Sequence, residues 1–229
     1  HYTLFHKANH YCAPQFLEYW SYKHGLPIIG RLWREALKDE DAASTYMRIT
    51  KTSQEQFNEE IYDAASRFVT WDLPRIKSVC SSYANQHQCK LVKVDAGWYQ
   101  IAKEKCPQSY GYNAVRLKVP RSGTEVELTF EGIAGDKDFY TEAKENAGWR
   151  YGFVAVKQDG KRVYGKMNKA VNGVNQSVKF VVPDSTQFLW LVVTGAPDKH
   201  MAYHKKMEKV AEWPYKIKLE GTFLHATTM

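Results

Sequence analysis

The chain is 229 residues long, enough for one large domain or two small ones with a proper core. With 14% aromatic and 25% charged residues it has the composition of a soluble globular protein, and no apolar run approaches the length of a membrane span. Its net charge of +7 raises nucleic acid as a partner, but residues 1–90 carry 11 Lys+Arg against 10 Asp+Glu, and no recognition-helix pattern, RNP-like motif or zinc-finger spacing accompanies the excess.

The first feature along the chain is His6-Lys7-Ala8-Asn9-His10. Two histidines four apart is the helical spacing of zinc peptidases, in which a Glu just after the first His activates the metal-bound water. Here Lys7 stands at that place and cannot act as a carboxylate base. Glu18 could be written as a third ligand, but the plainer reading is a surface pair, since His200 and His204 repeat the spacing in a segment with no helical stripe.

The stretch to residue 90 reads as helices. Phe16, Leu17, Trp20 and Tyr22 recur near spacings of three and four, and Gly25 follows as a stop. A second helix opens near Pro27, with Ile29, Leu32, Trp33 and Leu37 on one side. Ser53 with Gln56 at N3 is a capping box for a third, whose apolar stripe is Phe57, Ile61, Ala64/Ala65 and Phe68. Pro74 opens a fourth over "LPRIKSVCSSYANQHQ".

After Cys89 the pattern changes to about nine short β-branched or aromatic runs: "KLVKVD", "WYQIA", "NAVRLKVP", "EVELTFEGI", "RYGFVAVK", "KRVYG", "SVKFVVP", "FLWLVVTG" and "YKIKLEGT". Turn signals such as "RSG", "QDGK" and "GAPD" separate them. The fold class expected is therefore α+β: a helical segment over 1–90, then an antiparallel, jelly-roll-like β-sandwich over 91–229, with "FLWLVV" as a central strand buried on both faces.

No GxSxG, Walker loop or GxGxxG is present. The carboxylates of "GDKDFYTEAKE" are interrupted by Lys137 and Lys144 and lack the calcium-loop pattern. Asn175-Gln176-Ser177 fits a glycosylation acceptor. Trp98 and Tyr99, and Trp149 and Tyr151, are candidates for stacking on sugar rings, against the plainer reading that they belong to the sandwich core. No CxxC occurs among Cys12, Cys80, Cys89 and Cys106. An even count fits an exported protein with two disulfides. The favoured pairing of the three is Cys80–Cys89 with Cys12–Cys106, and the alternative is four buried thiols.

The strings "HYCAPQFLEYWSYKHG…RLWREA", "RFVTWDLPRI", "CPQSYGYNAVRLKVP", "GWRYGFVAVKQDGKRVYG", "LWLVVTGAP" and "EWPYKIKLEGT" resemble the C-terminal region of the Svx-type secreted proteins. These are avirulence-associated proteins of plant-pathogenic bacteria, proposed to be zinc metallopeptidases. The resemblance spans nearly the whole chain. It implies export, a virulence-associated role and an HExxH zinc helix, yet no HExxH occurs in these residues. In gluzincin-type peptidases that helix comes first, and a later segment supplies a His or Tyr that donates to the transition-state oxyanion. By this analogy Tyr11 or His10 takes that role, and the zinc ligands lie upstream of His1. Residues 1–229 alone are then expected to hold no cofactor and to lack hydrolase activity. The alternative reading is a non-catalytic module that binds a carbohydrate or a cell-surface polymer, to which the positive charge would add attraction if the polymer is anionic. A third is an interaction or effector protein. In each case the expected location is extracellular, with no nucleic acid and no membrane span.

Overall fold

The structure, a computed structural model, describes residues 1–3, 15–141, 143–202 and 209–229. His6, Lys7, His10, Tyr11, Cys12 and His204 therefore lie outside the described residues. The described helices α1 (Gln15–His24), α2 (Pro27–Arg34), α3 (Ala42–Thr50) and α4 (Gln54–Phe68) come before every strand. None is long and apolar enough to cross a membrane. The strands follow as β1 (Leu91–Asp95), β2 (Trp98–Ile101), β3 (Tyr112–Leu117), β4 (Glu125–Gly132), β5 (Gly148–Lys157), β6 (Arg162–Tyr164), β7 (Asn168–Val171), β8 (Gln176–Val181), β9 (Thr186–Gly195) and β10 (Tyr215–Glu220).

The helices show how local chemistry and packing divide the work. The Ser53 hydroxyl accepts from the Gln56 N–H while the Gln56 side chain accepts from the Ser53 N–H, so the expected capping box starts α4. Ser53→Ala should lower stability by about 1 kcal/mol, read as a shift in the urea midpoint at unchanged slope. Gly25 ends α1 at φ +78°, a left-handed conformation, where its N–H meets the Ser21 carbonyl. The faces differ from expectation. In α1 the buried side is Phe16, Tyr19, Trp20 and Ser21, while Leu17 and Tyr22 are exposed. In α2 Ile28 and Leu32 are buried, Trp33 is 82% exposed, and the helix ends at Arg34 before Leu37. Asp41 then caps a further helix, α3, by accepting from the Ser44 N–H. The expected helix after Pro74 is instead a run of turns and a 3₁₀ turn at Ser81–Tyr83. Leu73 is buried and Ile76 packs partly against the helical core, but Val79 and Tyr83 are 77% and 62% exposed, so the apolar anchoring stops within the first turn.

All nine expected strands form, with β7 in addition, as two antiparallel five-stranded sheets. The first has the order β1-β2-β10-β4-β8; the second has β3-β9-β5-β6, with β7 also paired to β5. The fold is an α+β sandwich. Between the sheets lies one apolar core, with Leu128, Phe130 and Ile217 from the first facing Trp149, Tyr151, Leu191 and Val193 from the second. Strand β9 is central between β3 and β5 and buried through Leu189–Gly195, because α4 covers the second sheet's other face. There Tyr62, Ala65 and Val69 pack on Val154, Trp190 and Val192.

A polar relay also ties the helices to the sandwich. His200 Nε2 lies 3.0 Å from both oxygens of Asp41, and its Nδ1 lies 2.7 Å from the Tyr110 hydroxyl. An ionised Asp41 only accepts, so Nε2 carries the proton and, on a neutral ring, Nδ1 accepts from Tyr110. Gln54 donates to the same hydroxyl and to the Pro197 carbonyl. The loop after β9 is thereby held against the N-termini of α3 and α4.

The described cysteines form no disulfide: Cys80, Cys89 and Cys106 are free thiols. The expected Cys80–Cys89 bridge is not made. Cys89 and Cys106 are buried in the sandwich core, whereas Cys80 is half-buried in the turn-rich segment before it. Burial pushes the Cys89 thiol up to about 12 and raises that of Cys106.

Candidate functional site

The four aromatics expected to stack on sugars separate into two groups. Trp149 and Tyr151 are fully buried: Trp149 donates its indole N–H to the Trp213 carbonyl, and Tyr151 stacks on Phe130 at 4.4 Å. They face the core because α4 and the first sheet cover both faces of β5, so neither reaches a ligand. Tyr99 is half-buried and packs against the same core. Trp98, one position away on β2, points the other way, and alternation along a strand makes that placement inevitable once Tyr99 faces inward.

Trp98 lies on the outer face of the first sheet. Register places Lys218 opposite Trp98 and Gln100 opposite Lys216, and then sets Lys216 against Glu131 and Lys218 against Thr129 on β4. The Lys216 ammonium sits 4.9 Å from the Trp98 ring centroid and 3.0 Å from a Glu131 oxygen. Lys218 reaches Glu220 at 3.6 Å. Farther across, the Thr129 and Ser177 hydroxyls are 3.0 Å apart, and Lys179 pairs with Glu125 at 2.7 Å. The face is thus a shallow row of hydroxyl, amide and paired charged groups around one half-buried indole. It offers hydrogen-bond donors and acceptors in register and an aromatic surface, with its charges largely compensated. Sequence reading found Trp98 but missed Gln100, Lys216 and Lys218, which only strand pairing brings beside it.

Among the described residues, no group of three or more His, Cys, Asp or Glu side chains stands close enough to hold a metal ion. The oxyanion role expected of Tyr11 or His10 and the His6/His10 pair fall outside the described residues.

In fold the chain is similar to the C-terminal family 22 carbohydrate-binding module of Clostridium thermocellum Xyn10B, at 11% identity over 62% of this chain and 85% of that one, with a TM-score of 0.35. It is likewise similar to a xylan-binding domain of family 22, at 11% identity over 62% and 85% with a TM-score of 0.34. The Yersinia pseudotuberculosis-derived mitogen matches at 10% identity over 60% and 88%, with a TM-score of 0.33. No curated protein matches the chain. Residues 1–226 match a family model described as a family of unknown function, and the chain accordingly belongs to that family, DUF6055.

Proposed function

We propose that the chain is a non-catalytic carbohydrate-binding module that takes a polysaccharide on the outer face of the first sheet, and that it works outside the cell, where such polymers are met. The observation that carries this reading is the face itself: a half-buried Trp98 among Gln100, Lys216, Lys218 and Thr129. Sugar rings present C–H groups on one side and hydroxyls around the edge. An indole accommodates the first, while amide, ammonium and carboxylate groups meet the second. Because Lys216 and Lys218 are each paired with a glutamate, the face favours a neutral polymer over a polyanion.

The test is affinity electrophoresis and calorimetry with soluble xylan, mixed-linkage glucan, galactomannan and polygalacturonate. Xylan enters as a probe because a fold neighbour is described as xylan-binding. At least one neutral polymer should bind, and Trp98→Ala should weaken it by about thirtyfold, the loss of roughly 2 kcal/mol for an aromatic anchor, while thermal unfolding barely changes. Binding to none of the four, or equal binding by Trp98→Ala, rejects the reading.

A further inference from the structure

The outer side of α2 carries an apolar line that no core of the molecule uses. At helical spacing Leu26, the residue before the helix, falls in line with Gly30 and Trp33, with Arg34 beside them and the buried Ile28 and Leu32 on the opposite side. Trp33 is the most exposed large apolar side chain among the described residues, and Leu26 is 59% exposed. Pro27 is exposed too, and Leu37 and Lys38 follow as exposed residues just past the helix. The Arg34 side chain folds back along this face, because a Cβ built on Gly30 would stand 2.9 Å from Arg34 Nη1. The glycine thus leaves room for a guanidinium in the line between the leucine and the indole.

The charges nearby are mostly compensated. Arg31 pairs with Glu35 at 2.7 Å and Arg48 with Glu40 at 2.6 Å. Of the charges from Arg31 to Glu40 that leaves Arg34, Lys38 and Asp39, a small positive surplus whose guanidinium sits on the apolar face itself. Shape and area select the occupant. Leu26, Pro27 and Trp33, even if wholly covered, fall far short of the roughly 800 Å² per partner that a stable protein interface buries, which disfavours a second copy of this chain. A bilayer surface sets no such minimum. It accommodates a convex helix face, takes an indole at headgroup level and offers phosphates to a guanidinium. With eight residues, about 12 Å, α2 can only lie on such a surface, not cross it.

We propose that α2 docks the protein on a phospholipid surface, with Trp33 and Leu26 entering the headgroup boundary and Arg34 meeting lipid phosphate. The site is separate from the Trp98 face and does not depend on the reading given to that face.

The experiment is co-flotation of the whole chain with vesicles of phosphatidylcholine and phosphatidylglycerol in equal parts, with sedimentation velocity of the free protein beside it. Binding should be reversible and weak, half complete at lipid concentrations on the order of a millimolar, as for a single shallow anchor. Trp33→Ala should weaken it at least tenfold, the value of burying one large side chain, and Arg34→Gln about fivefold, the value of one cation at the surface. Both residues are exposed, so thermal unfolding of either variant should barely change. Val79→Ser, which removes another exposed apolar side chain, and Trp98→Ala should both float as the wild type does. No flotation, unchanged flotation in Trp33→Ala or in Arg34→Gln, or a dimer in solution that Trp33→Ala dissociates would overturn the proposal.

Discussion

Phe130→Ala is expected to destabilise the protein by about 3–5 kcal/mol, among the largest effects of any single truncation. Phe130 lies on β4 with its side chain fully buried between the sheets. Its ring stacks on Tyr151 at 4.4 Å and 10°, stacks on Tyr215 at 5.3 Å and 17°, and meets Trp149 edge-on at 6.1 Å. Truncation removes the transfer energy of a large aromatic and leaves a cavity, and the size of the second contribution depends on whether neighbours can move in. Here they are held. Tyr215 donates to Asn113 at 3.1 Å, and Trp149 donates to the Trp213 carbonyl at 3.0 Å, so both rings would have to break buried hydrogen bonds to fill the space. Phe130→Leu, which keeps much of the volume, should cost under about 1.5 kcal/mol. Phe223→Ala serves as the surface comparison, because Phe223 is 69% exposed and its loss should stay within about 0.5 kcal/mol. Urea unfolding of the three variants measures this directly. A loss below about 1 kcal/mol in Phe130→Ala would show that the intersheet stack is not the tightly packed centre of the core.

Asp41→Asn should remove about 2 kcal/mol at neutral pH, and the loss should fade in acid. Asparagine is as good an N-cap as aspartate, so the cap of α3 survives and the change isolates the charge. Burial works to raise the Asp41 pKa, but the hydrogen bond with His200 and those from Ser44 outweigh it and hold the carboxyl down to about 2, against an ordinary value of 3.8. A carboxyl whose folded pKa lies below its unfolded one binds fewer protons when folded. Its stabilisation is therefore fully present above about 3.8 and is lost as the pH falls through about 2. The shift corresponds to about 2 kcal/mol, appropriate to a side chain only 11% exposed. Stability curves of wild type and Asp41→Asn should run parallel from neutral pH down to about 4 and converge between there and about 2. A gap that persists unchanged in acid would place the effect in shape rather than in the Asp41–His200 interaction.

The α+β class was legible because short-range patterns carry it. The Ser53/Gln56 capping box, the Gly25 stop and the alternation of β4 and β8 depend on residues within a few positions of one another, and so does the shift from helical to strand periodicity near residue 90. The all-apolar "FLWLVV" likewise marked a strand with both faces covered. β7 escaped notice because Asn168–Val171 is four residues with one buried side chain, and its strand character comes from the free edge of β5 rather than from its own composition.

What tertiary structure decided is which way each side chain looks. Trp33 and Leu37 share the spacing of a buried stripe, yet the core beneath α2 takes Ile28 and Leu32, and a rotation of about one residue puts Trp33 into solvent. Trp98 and Tyr99 are adjacent and chemically alike; strand alternation sends one to the open face and the other to the core, and the first sheet removes Trp149 and Tyr151 from any surface by packing over the face of β5 that bears them. The company of Trp98 comes from β10, more than a hundred residues away, because the register of antiparallel pairing is set by the hydrophobic faces that must meet inside. Propensity and periodicity act over one turn or one strand, whereas a binding surface is made of side chains that only long-range packing brings to the same place.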